Sequence, residues 1–169
     1  MIHTLILPDT PVGPLTLQAD AKGLCRVDFG QRSTAQSPEH LVLQAAASQL
    51  EAYFAGRLKQ FDLPLAPVGT AFQEQVWNRL LEIPWGNTCS YGDIAARIGN
   101  PGASRAVGLA NNRNPLPIII PCHRVVASNG ELTGYGGGLK HKICLLQLEQ
   151  IAIQPAKQPE RTRIIRKPA

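Results

Sequence analysis

The chain has 169 residues, of which 44% are hydrophobic and 17% are charged, and its formal net charge is +5. This length suits one large domain or two small ones, and the composition excludes an intrinsically disordered protein. No segment approaches the roughly 20 apolar residues of a membrane span, and the first residues lack the basic and apolar regions of a signal peptide. We therefore expect a cytoplasmic protein with no membrane association.

The four cysteines, Cys25, Cys89, Cys122 and Cys144, are widely separated and form no C-x-x-C pair. Neither a zinc ribbon nor a disulfide framework is therefore predicted, and in a reducing compartment all four should be free thiols. The histidines are dispersed as well. We accordingly predict no metal site.

Residues 1–67 predict an α/β N-terminal domain, formed by a small antiparallel sheet and a helix. The runs HTLILP, GPLTLQAD and GLCRVDFG are separated by Asp, Pro and Gly turn signals, which indicates three short strands. A helix is predicted to begin with Ser37 as its N-cap and to end at Gly56. The run KQFDLPLAPVG then predicts a strand and a Pro-rich linker, which places the domain boundary at residues 67–69.

Residues 70–150 predict a mainly helical second domain. Thr70 with Gln73 and Ser90 with Asp93 form two capping boxes, each of which marks the start of a helix. The second of these helices is followed by the breaker run GNPG and then by another short helix. This order of helix, tight turn and helix is a helix-turn-helix pattern. A last helix is predicted over KICLLQLEQIA.

Between the helix pair and the last helix lies the run IIIPCHRV, residues 118–125. Ile118–Pro121 is predicted to be a buried, extended segment that leads directly into Cys122. Apolar surroundings raise the pKa of a thiol, so a nucleophilic Cys122 needs a base. His123 is adjacent, but neighbours on a strand point to opposite faces. Either the chain turns after Pro121, or a water molecule carries the proton between the two side chains.

A third group is needed to orient the imidazole of such a pair. Glu149 is the candidate, because it is the only acidic residue between Glu131 and Glu160 and lies at the end of the last predicted helix. The alternative is that Glu149 is a solvated carboxylate at a helix end.

The positive charge is unevenly distributed. Residues 151–169 carry +4 of the net +5, and because this tail combines prolines with charges it is predicted to be flexible. No acidic residue occurs between Asp93 and Glu131. Arg105 lies in that window at the start of the second helix of the pair, with small neighbours that allow close approach to DNA. Close packing against another helix is the alternative reason for the small residues.

Taken together, these motifs resemble the O6-alkylguanine-DNA alkyltransferases. IPCHRV at residues 120–125 matches the active-site signature of that family, and NP, SRAVG, TGYGGG and LE hold the family spacing within residues 70–150. The first 67 residues resemble the family's N-terminal domain in outline. The resemblance implies a winged helix-turn-helix-like DNA-binding unit and a protein that moves an alkyl group from guanine O6 to Cys122 once, without a cofactor.

The resemblance also implies a role for each matching residue. Glu149 would hydrogen-bond His123, which would deprotonate Cys122 through a water molecule. Asn114 would support the site, and Tyr91 would donate its hydroxyl to guanine N3. Arg105 would fill the gap left by the flipped nucleotide. The other implied DNA-binding residues are Ser104, Ala106, Gly108 and Arg113, and the implied guanine pocket contains Val125, Tyr135, Gly136 and Lys142.

The implied partner is double-stranded DNA that contains O6-alkylguanine, with O4-alkylthymine as a further substrate. It would be bound through the minor groove by a monomer that can bind cooperatively. Gly136 stands where some relatives carry a larger residue, which predicts a pocket that accepts bulkier alkyl groups.

Three other functions fit parts of the pattern. One is a noncatalytic binder that flags alkylated DNA for another pathway, and the presence of Cys122, His123 and Glu149 argues against it. The others are a helix-turn-helix regulator with an incidental cysteine, which should dimerise and select a DNA sequence, and a Cys-His hydrolase, which should turn over repeatedly and need an oxyanion hole. The sequence suggests neither.

Overall fold

The computed structural model of the protein describes residues 1–32 and 35–165. Two compact units are present: Met1–Val68 with Pro115–Ile119 form the first, and Gly69–Asn114 with the residues from Ile120 onward form the second. The chain thus returns briefly to the first unit, where the Pro115 carbonyl accepts a hydrogen bond of 2.8 Å from Val27 N–H. Within the described ranges, no helix is long and apolar enough to cross a bilayer.

The first unit contains the predicted sheet and helix. Strands β1 (His3–Leu7), β2 (Leu15–Asp20) and β3 (Gly23–Phe29) pair antiparallel in that order. Helix α1 (Leu41–Phe54) buries side chains at helical spacing toward the core, namely Leu43, Ala46, Leu50 and Tyr53. The three predicted strands are confirmed.

Two predictions for the first unit are wrong in detail. Helix α1 begins at Leu41 with His40 as its N-cap, because Ser37 is used differently: its N–H donates to the Thr4 carbonyl at 2.8 Å. The run that was expected to form a fourth strand contributes an isolated bridge between Leu65 and Leu24.

The second unit consists mainly of helices: α2 (Ala71–Leu80), α3 (Tyr91–Arg97), α4 (Ser104–Asn112) and α5 (Leu139–Leu148). Between α2 and α3, strand β4 (Cys89–Ser90) pairs in parallel with β5 (Val125–Val126). Both predicted capping boxes are formed, at Thr70 and at Ser90. The buried indole of Trp77 donates to the Ala110 carbonyl at 2.9 Å, which ties α2 to α4.

The apolar run before the cysteine is buried, as predicted, but it is not extended. Ile118, Ile119 and Ile120 are at most 3% exposed and lie in turns. Ile118 has a φ of +76°, a left-handed conformation that is rare for a β-branched residue. A short 3-10 helix, Cys122–Arg124, follows Pro121. The chain therefore does turn after Pro121.

The prediction of a flexible tail is wrong for residues 151–165. Strand β6 (Ile153–Gln154) pairs antiparallel with β7 (Arg163–Ile164). Ile164 is buried in an apolar cluster with Val126, Leu132 and Leu146, and this burial offsets the entropy cost of ordering the segment. Residues 166–169 of the predicted tail lie outside the described residues.

Candidate active site

Cys122 opens the 3-10 helix that follows the buried turn, and it is 4% exposed. Burial raises the pKa of its thiol, while the side chains of Asn114 and Tyr135 and the positive charge of Lys142 act in the opposite direction. The surroundings therefore protect the neutral thiol at rest and supply groups that stabilise the thiolate when it forms.

His123 and Glu149 form a buried hydrogen-bonded pair. His123 Nε2 lies 2.7 Å from Glu149 Oε1, and both side chains are fully buried. Burial lowers the pKa of His123, although Glu149 opposes that effect, so the imidazole is neutral near pH 7. A neutral imidazole beside a carboxylate places its proton on Nε2, which leaves Nδ1 as a hydrogen-bond acceptor. The alternative of a solvated Glu149 is wrong.

The described residues offer no hydrogen-bond partner to His123 Nδ1. In particular, the thiol of Cys122 does not reach it, even though the chain turns after Pro121. A direct hydrogen bond between the two side chains is therefore not formed.

Arg124 is a member of this cluster that the sequence did not identify as such. Its Nε donates to Glu149 Oε2 at 2.9 Å, its Nη2 to Glu149 Oε1 at 2.8 Å, and its Nη1 to the Ile83 carbonyl. Burial by itself would raise the pKa of Glu149, but His123 and Arg124 outweigh it and lower the value to about 2. Glu149 is therefore ionised and is hydrogen-bonded by both His123 and Arg124.

Lys142 and Tyr91 meet at one backbone carbonyl. The fully buried Lys142 Nζ donates to the Thr133 carbonyl at 3.1 Å and to the Val125 carbonyl at 2.6 Å. The Tyr91 hydroxyl donates to the same Thr133 carbonyl at 3.0 Å. Burial lowers the pKa of Lys142 to about 8, although the negative charge of ionised Cys122 opposes this decrease. Burial also raises the pKa of Tyr91. Both side chains are thus oriented by the segment that precedes the glycine run.

Two asparagines at the end of α4 hold the backbone around the cysteine. Asn114 Nδ2 donates to the Ile120 carbonyl at 2.8 Å, two residues before the thiol that its side chain also contacts. Asn111 is buried and donates to the Cys122 carbonyl at 3.3 Å. Sequence reasoning missed Asn111, because nothing in its spacing distinguishes it from its neighbours.

Helix α4 presents an exposed face that carries the sequence-predicted DNA-binding residues. Arg105, Ala106 and Arg113 are exposed, while Ser104 and Gly108 are half-buried. A Cβ on Gly108 would lie 3.8 Å from the Tyr91 ring, so this glycine borders α3. Leu109, which is 62% exposed, shares the open face with Arg105 one turn earlier.

The glycine run, residues 134–138, lies against the end of α4. A Cβ on Gly136 would stand 2.9 Å from the Asn112 carbonyl oxygen, closer than side chains normally approach a backbone atom. The structure thus offers a second reason for a glycine here, besides the roomier pocket predicted from the sequence. Tyr135, the preceding residue, is half-buried and its side chain contacts the Cys122 thiol.

Metal ligands do not cluster at this site. In the part of the chain that the structure describes, no group of three or more His, Cys, Asp and Glu side chains is placed to hold a metal ion.

Comparisons with known proteins match both units. Residues 1–67 match the family model of the 6-O-methylguanine DNA methyltransferase ribonuclease-like domain, and residues 71–151 match that of the 6-O-methylguanine DNA methyltransferase DNA binding domain. A methylated-DNA–protein-cysteine methyltransferase of Methanosarcina acetivorans is 55% identical over 83% of this chain and 94% of its own length. One from Mycobacterium leprae is 49% identical over 89% of this chain and 93% of its own length.

Solved structures agree with the sequence matches. Mycobacterium tuberculosis OGT in complex with DNA is similar with a TM-score of 0.78 at 49% identity, and the match covers 88% of this chain and 92% of that one. The chain belongs to the O6-methylguanine DNA methyltransferase family.

Proposed function

We propose that the protein repairs alkylated DNA directly, by moving an alkyl group from guanine O6 to Cys122, once per molecule. The observation that carries this proposal is the buried Cys122 beside the hydrogen-bonded pair of His123 and Glu149. The relatives at about 50% identity are named methylated-DNA–protein-cysteine methyltransferases, which supports the same activity here.

The reaction is an in-line displacement at the alkyl carbon. A bond forms between Cys122 Sγ and that carbon while the carbon–O6 bond breaks, and the electron pair of the broken bond passes to guanine. The thiol proton leaves toward His123, and the guanine regains one proton at N1, so that protons balance. The bond between sulfur and the alkyl carbon in the resulting thioether does not break under mild conditions. The protein therefore cannot return to its starting state.

His123 acts as the proton acceptor in this scheme. Its Nε2–H donates to Glu149, and the lone pair on Nδ1 is available to accept a proton. Because Nδ1 makes no direct hydrogen bond with Cys122, we place one water molecule between them as the proton carrier. Glu149 fixes the tautomer and stabilises the imidazolium that forms.

Side chains around Cys122 are positioned to stabilise the charge that develops during transfer. Lys142, Asn114 and Tyr135 stabilise the thiolate form of Cys122. Tyr91 would donate to guanine N3, and to do so it must exchange the Thr133 carbonyl for the base. The guanine would lie against Val125, Tyr135 and Gly136, with backbone groups of these residues as its hydrogen-bond partners.

A cysteine that is 4% exposed cannot reach a base that is stacked in a duplex. The target nucleotide must therefore rotate out of the helix, which costs on the order of a few kcal/mol. Exposed Arg105, in the first turn of α4, would fill the space that the nucleotide leaves. Ser104, Ala106, Gly108 and Arg113 would contact the strands beside it, with α4 in the minor groove.

The partner is double-stranded DNA that contains O6-alkylguanine, with O4-alkylthymine as a second substrate, bound by a monomer. We place the protein in the cytoplasm, where the four cysteines, which form no disulfide in the structure, would stay reduced.

Intact-protein mass spectrometry tests this function. After incubation with a duplex that contains O6-methylguanine, the protein should gain the mass of one methylene group, located on Cys122 in a peptide digest. The Cys122→Ala variant should gain nothing, and Cys144→Ala, a matched control at a half-buried cysteine that forms no disulfide, should react like the unmodified chain. An unchanged mass with retained DNA binding would instead favour the noncatalytic binder.

A further inference from the structure

The segment that follows the matched family domain is built into the second unit. The family model for the DNA-binding domain ends at residue 151. Residues 152–165, here called the strap, fold back as the β6–β7 pair, with Ile165 N–H donating to the Ala152 carbonyl at 2.7 Å.

The strap pairs with the loop of residues 127–133, here called the wing, at an isolated antiparallel bridge between Arg163 and Glu131. Leu132 N–H donates to the Thr162 carbonyl at 2.7 Å, and Ile164 N–H donates to the Gly130 carbonyl at 2.9 Å. Arg163 also forms an ion pair with Glu131 at 2.9 Å. The two backbone hydrogen bonds involve the residues on either side of Glu131, and together they fix the direction of the wing backbone.

A buried side chain anchors this pairing. Ile164 packs with Val126, Leu132 and Leu146, so one strap residue is shared between the wing, strand β5 and helix α5. Thr162 is buried as well. Gly130 has a φ of +85°, and a Cβ there would lie 3.3 Å from the Ile164 side chain. The contact between strap and wing is therefore close-packed rather than incidental.

The wing leads directly to the reactive centre. Thr133, the residue after Leu132, supplies the carbonyl that accepts from both Tyr91 and Lys142. Lys142 in turn bears on the Cys122 thiolate, and Tyr91 is the group assigned to guanine N3. A shift of the wing would move this carbonyl and, with it, both side chains.

We propose that the strap is a positioning element for alkyl transfer: Ile164 holds the wing in place and thereby sets the Thr133 carbonyl that orients Tyr91 and Lys142. This inference rests on the proposed function. It assigns a role to residues that lie outside the matched domain and act on the reacting groups through the wing.

Proline substitutions in the full chain test the strap at two neighbouring positions. Ile164→Pro removes the N–H that donates to the Gly130 carbonyl of the wing, and it also removes the isoleucine side chain that anchors the strap. Ile165→Pro is the matched control, because it removes an N–H that binds Ala152 within the strap and leaves the wing pairing intact. Ile164→Val keeps the donor and most of the apolar side chain, and serves as the conservative variant.

Three quantities are measured for each variant: the single-turnover methyl-transfer rate at saturating DNA, the Kd for the same duplex with unmodified guanine, and the rate with free O6-benzylguanine base in the absence of DNA. For Ile164→Pro we expect both rates to fall about tenfold or more, because misplaced reacting groups lose rate steeply, with the Kd changed less than twofold. Ile165→Pro and Ile164→Val should stay within about twofold of the unmodified chain in all three.

Unchanged rates in Ile164→Pro, whether or not its Kd for DNA is weakened, would overturn the proposal, since the strap would then be inert or a DNA contact. If Ile164→Pro is unfolded by circular dichroism, Ile164→Ala replaces it. That variant should lose rate at saturating DNA at a temperature where it is fully folded, and an unchanged rate there overturns the proposal equally. Absence of transfer by the unmodified chain would instead refute the proposed function, so the two failures are distinguishable.

Discussion

His123 Nε2 and Glu149 Oε1 lie 2.7 Å apart in a fully buried pair, and the same carboxylate binds the guanidinium of Arg124 through both of its oxygens. The carboxylate is therefore shared between a base and a permanent cation. Because Arg124 neutralises part of its charge, Glu149 orients His123 without making it a strong base, and burial keeps the imidazole neutral. A neutral imidazole is the form that can accept the thiol proton.

Replacing Glu149 by Gln should damage both the reaction and the fold. The variant leaves Arg124 buried without its counterion, which we expect to cost about 3–5 kcal/mol in the free energy of unfolding. It also removes the group that fixes the His123 tautomer, so the transfer rate should fall about 100-fold. Urea denaturation and single-turnover kinetics measure the two effects.

The control for this variant is Glu82→Gln. Glu82 forms an exposed ion pair with Arg79 at 2.6 Å. Its loss should change the free energy of unfolding by less than about 1 kcal/mol and leave the transfer rate intact. Equal effects of the two substitutions would contradict the role given to the buried carboxylate.

Acid should destabilise the protein in two steps. The pKa of His123 is lowered from its usual value of 6.5, so its contribution is present above pH 6.5 and is lost as the pH falls below it. Glu149 has a pKa of about 2 against 4.5 in the unfolded chain, so its contribution is present above pH 4.5 and is lost between 4.5 and 2. The second step corresponds to roughly 3 kcal/mol.

Urea unfolding at pH 7, 5.5 and 3.5 checks this dependence. The free energy of unfolding of the unmodified chain should fall at each step. In Glu149→Gln the fall between pH 5.5 and 3.5 should be smaller by the contribution of that carboxylate, and an identical fall in both proteins would exclude Glu149 as its source.

Gly136→Ala separates two reasons for a glycine in the pocket loop. If Gly136 only enlarges the pocket, alanine should slow the transfer of a benzyl group and spare a methyl group. The contact of 2.9 Å to the Asn112 carbonyl instead displaces the whole loop, so we expect methyl and benzyl transfer to slow by the same factor. Gly92→Ala, where the new Cβ meets atoms at 3.6 Å or beyond, is the control and should leave both rates unchanged.

Arg105→Ala should affect catalysis without affecting stability. The side chain is exposed, so the free energy of unfolding should change by less than about 0.5 kcal/mol. Without the side chain that fills the vacated stack, the transfer rate on duplex DNA should fall roughly tenfold, while the rate with free O6-benzylguanine base stays constant. The exposed Arg57→Ala, in the first unit, tests for a general effect of lost charge and should leave both rates unchanged.

The hydrogen bond between His123 and Glu149 was expected from the family resemblance, and the structure contains it. The sequence alone left Glu149 open, as the only acidic residue between Glu131 and Glu160. Arg124 was missed because its burial depends on a carboxylate 25 positions away, and an arginine is ordinarily exposed. Asn111 was missed for the same reason, since its partner is a backbone carbonyl that only the fold brings close.

The fold was predicted well where local signals act alone. The capping boxes at Thr70 and Ser90 and the three strands of the first unit depend on neighbouring residues. The strap was missed because its prolines and charges suggested disorder. A signal was nevertheless present: Thr162 and Ile164 are buried and Arg161 and Arg163 are exposed, the period of two that characterises a strand.

Two buried cations, Lys142 and Arg124, share the reactive centre with one carboxylate, that of Glu149, so the resting centre carries a surplus positive charge. Ionisation of the Cys122 thiol balances that surplus during the reaction. Once Cys122 is a thioether it cannot ionise, and the surplus becomes permanent unless Lys142, whose pKa is about 8, gives up its proton. The repaired protein therefore carries the same surplus as the resting protein, but it has lost the one group whose ionisation balanced that surplus during the reaction.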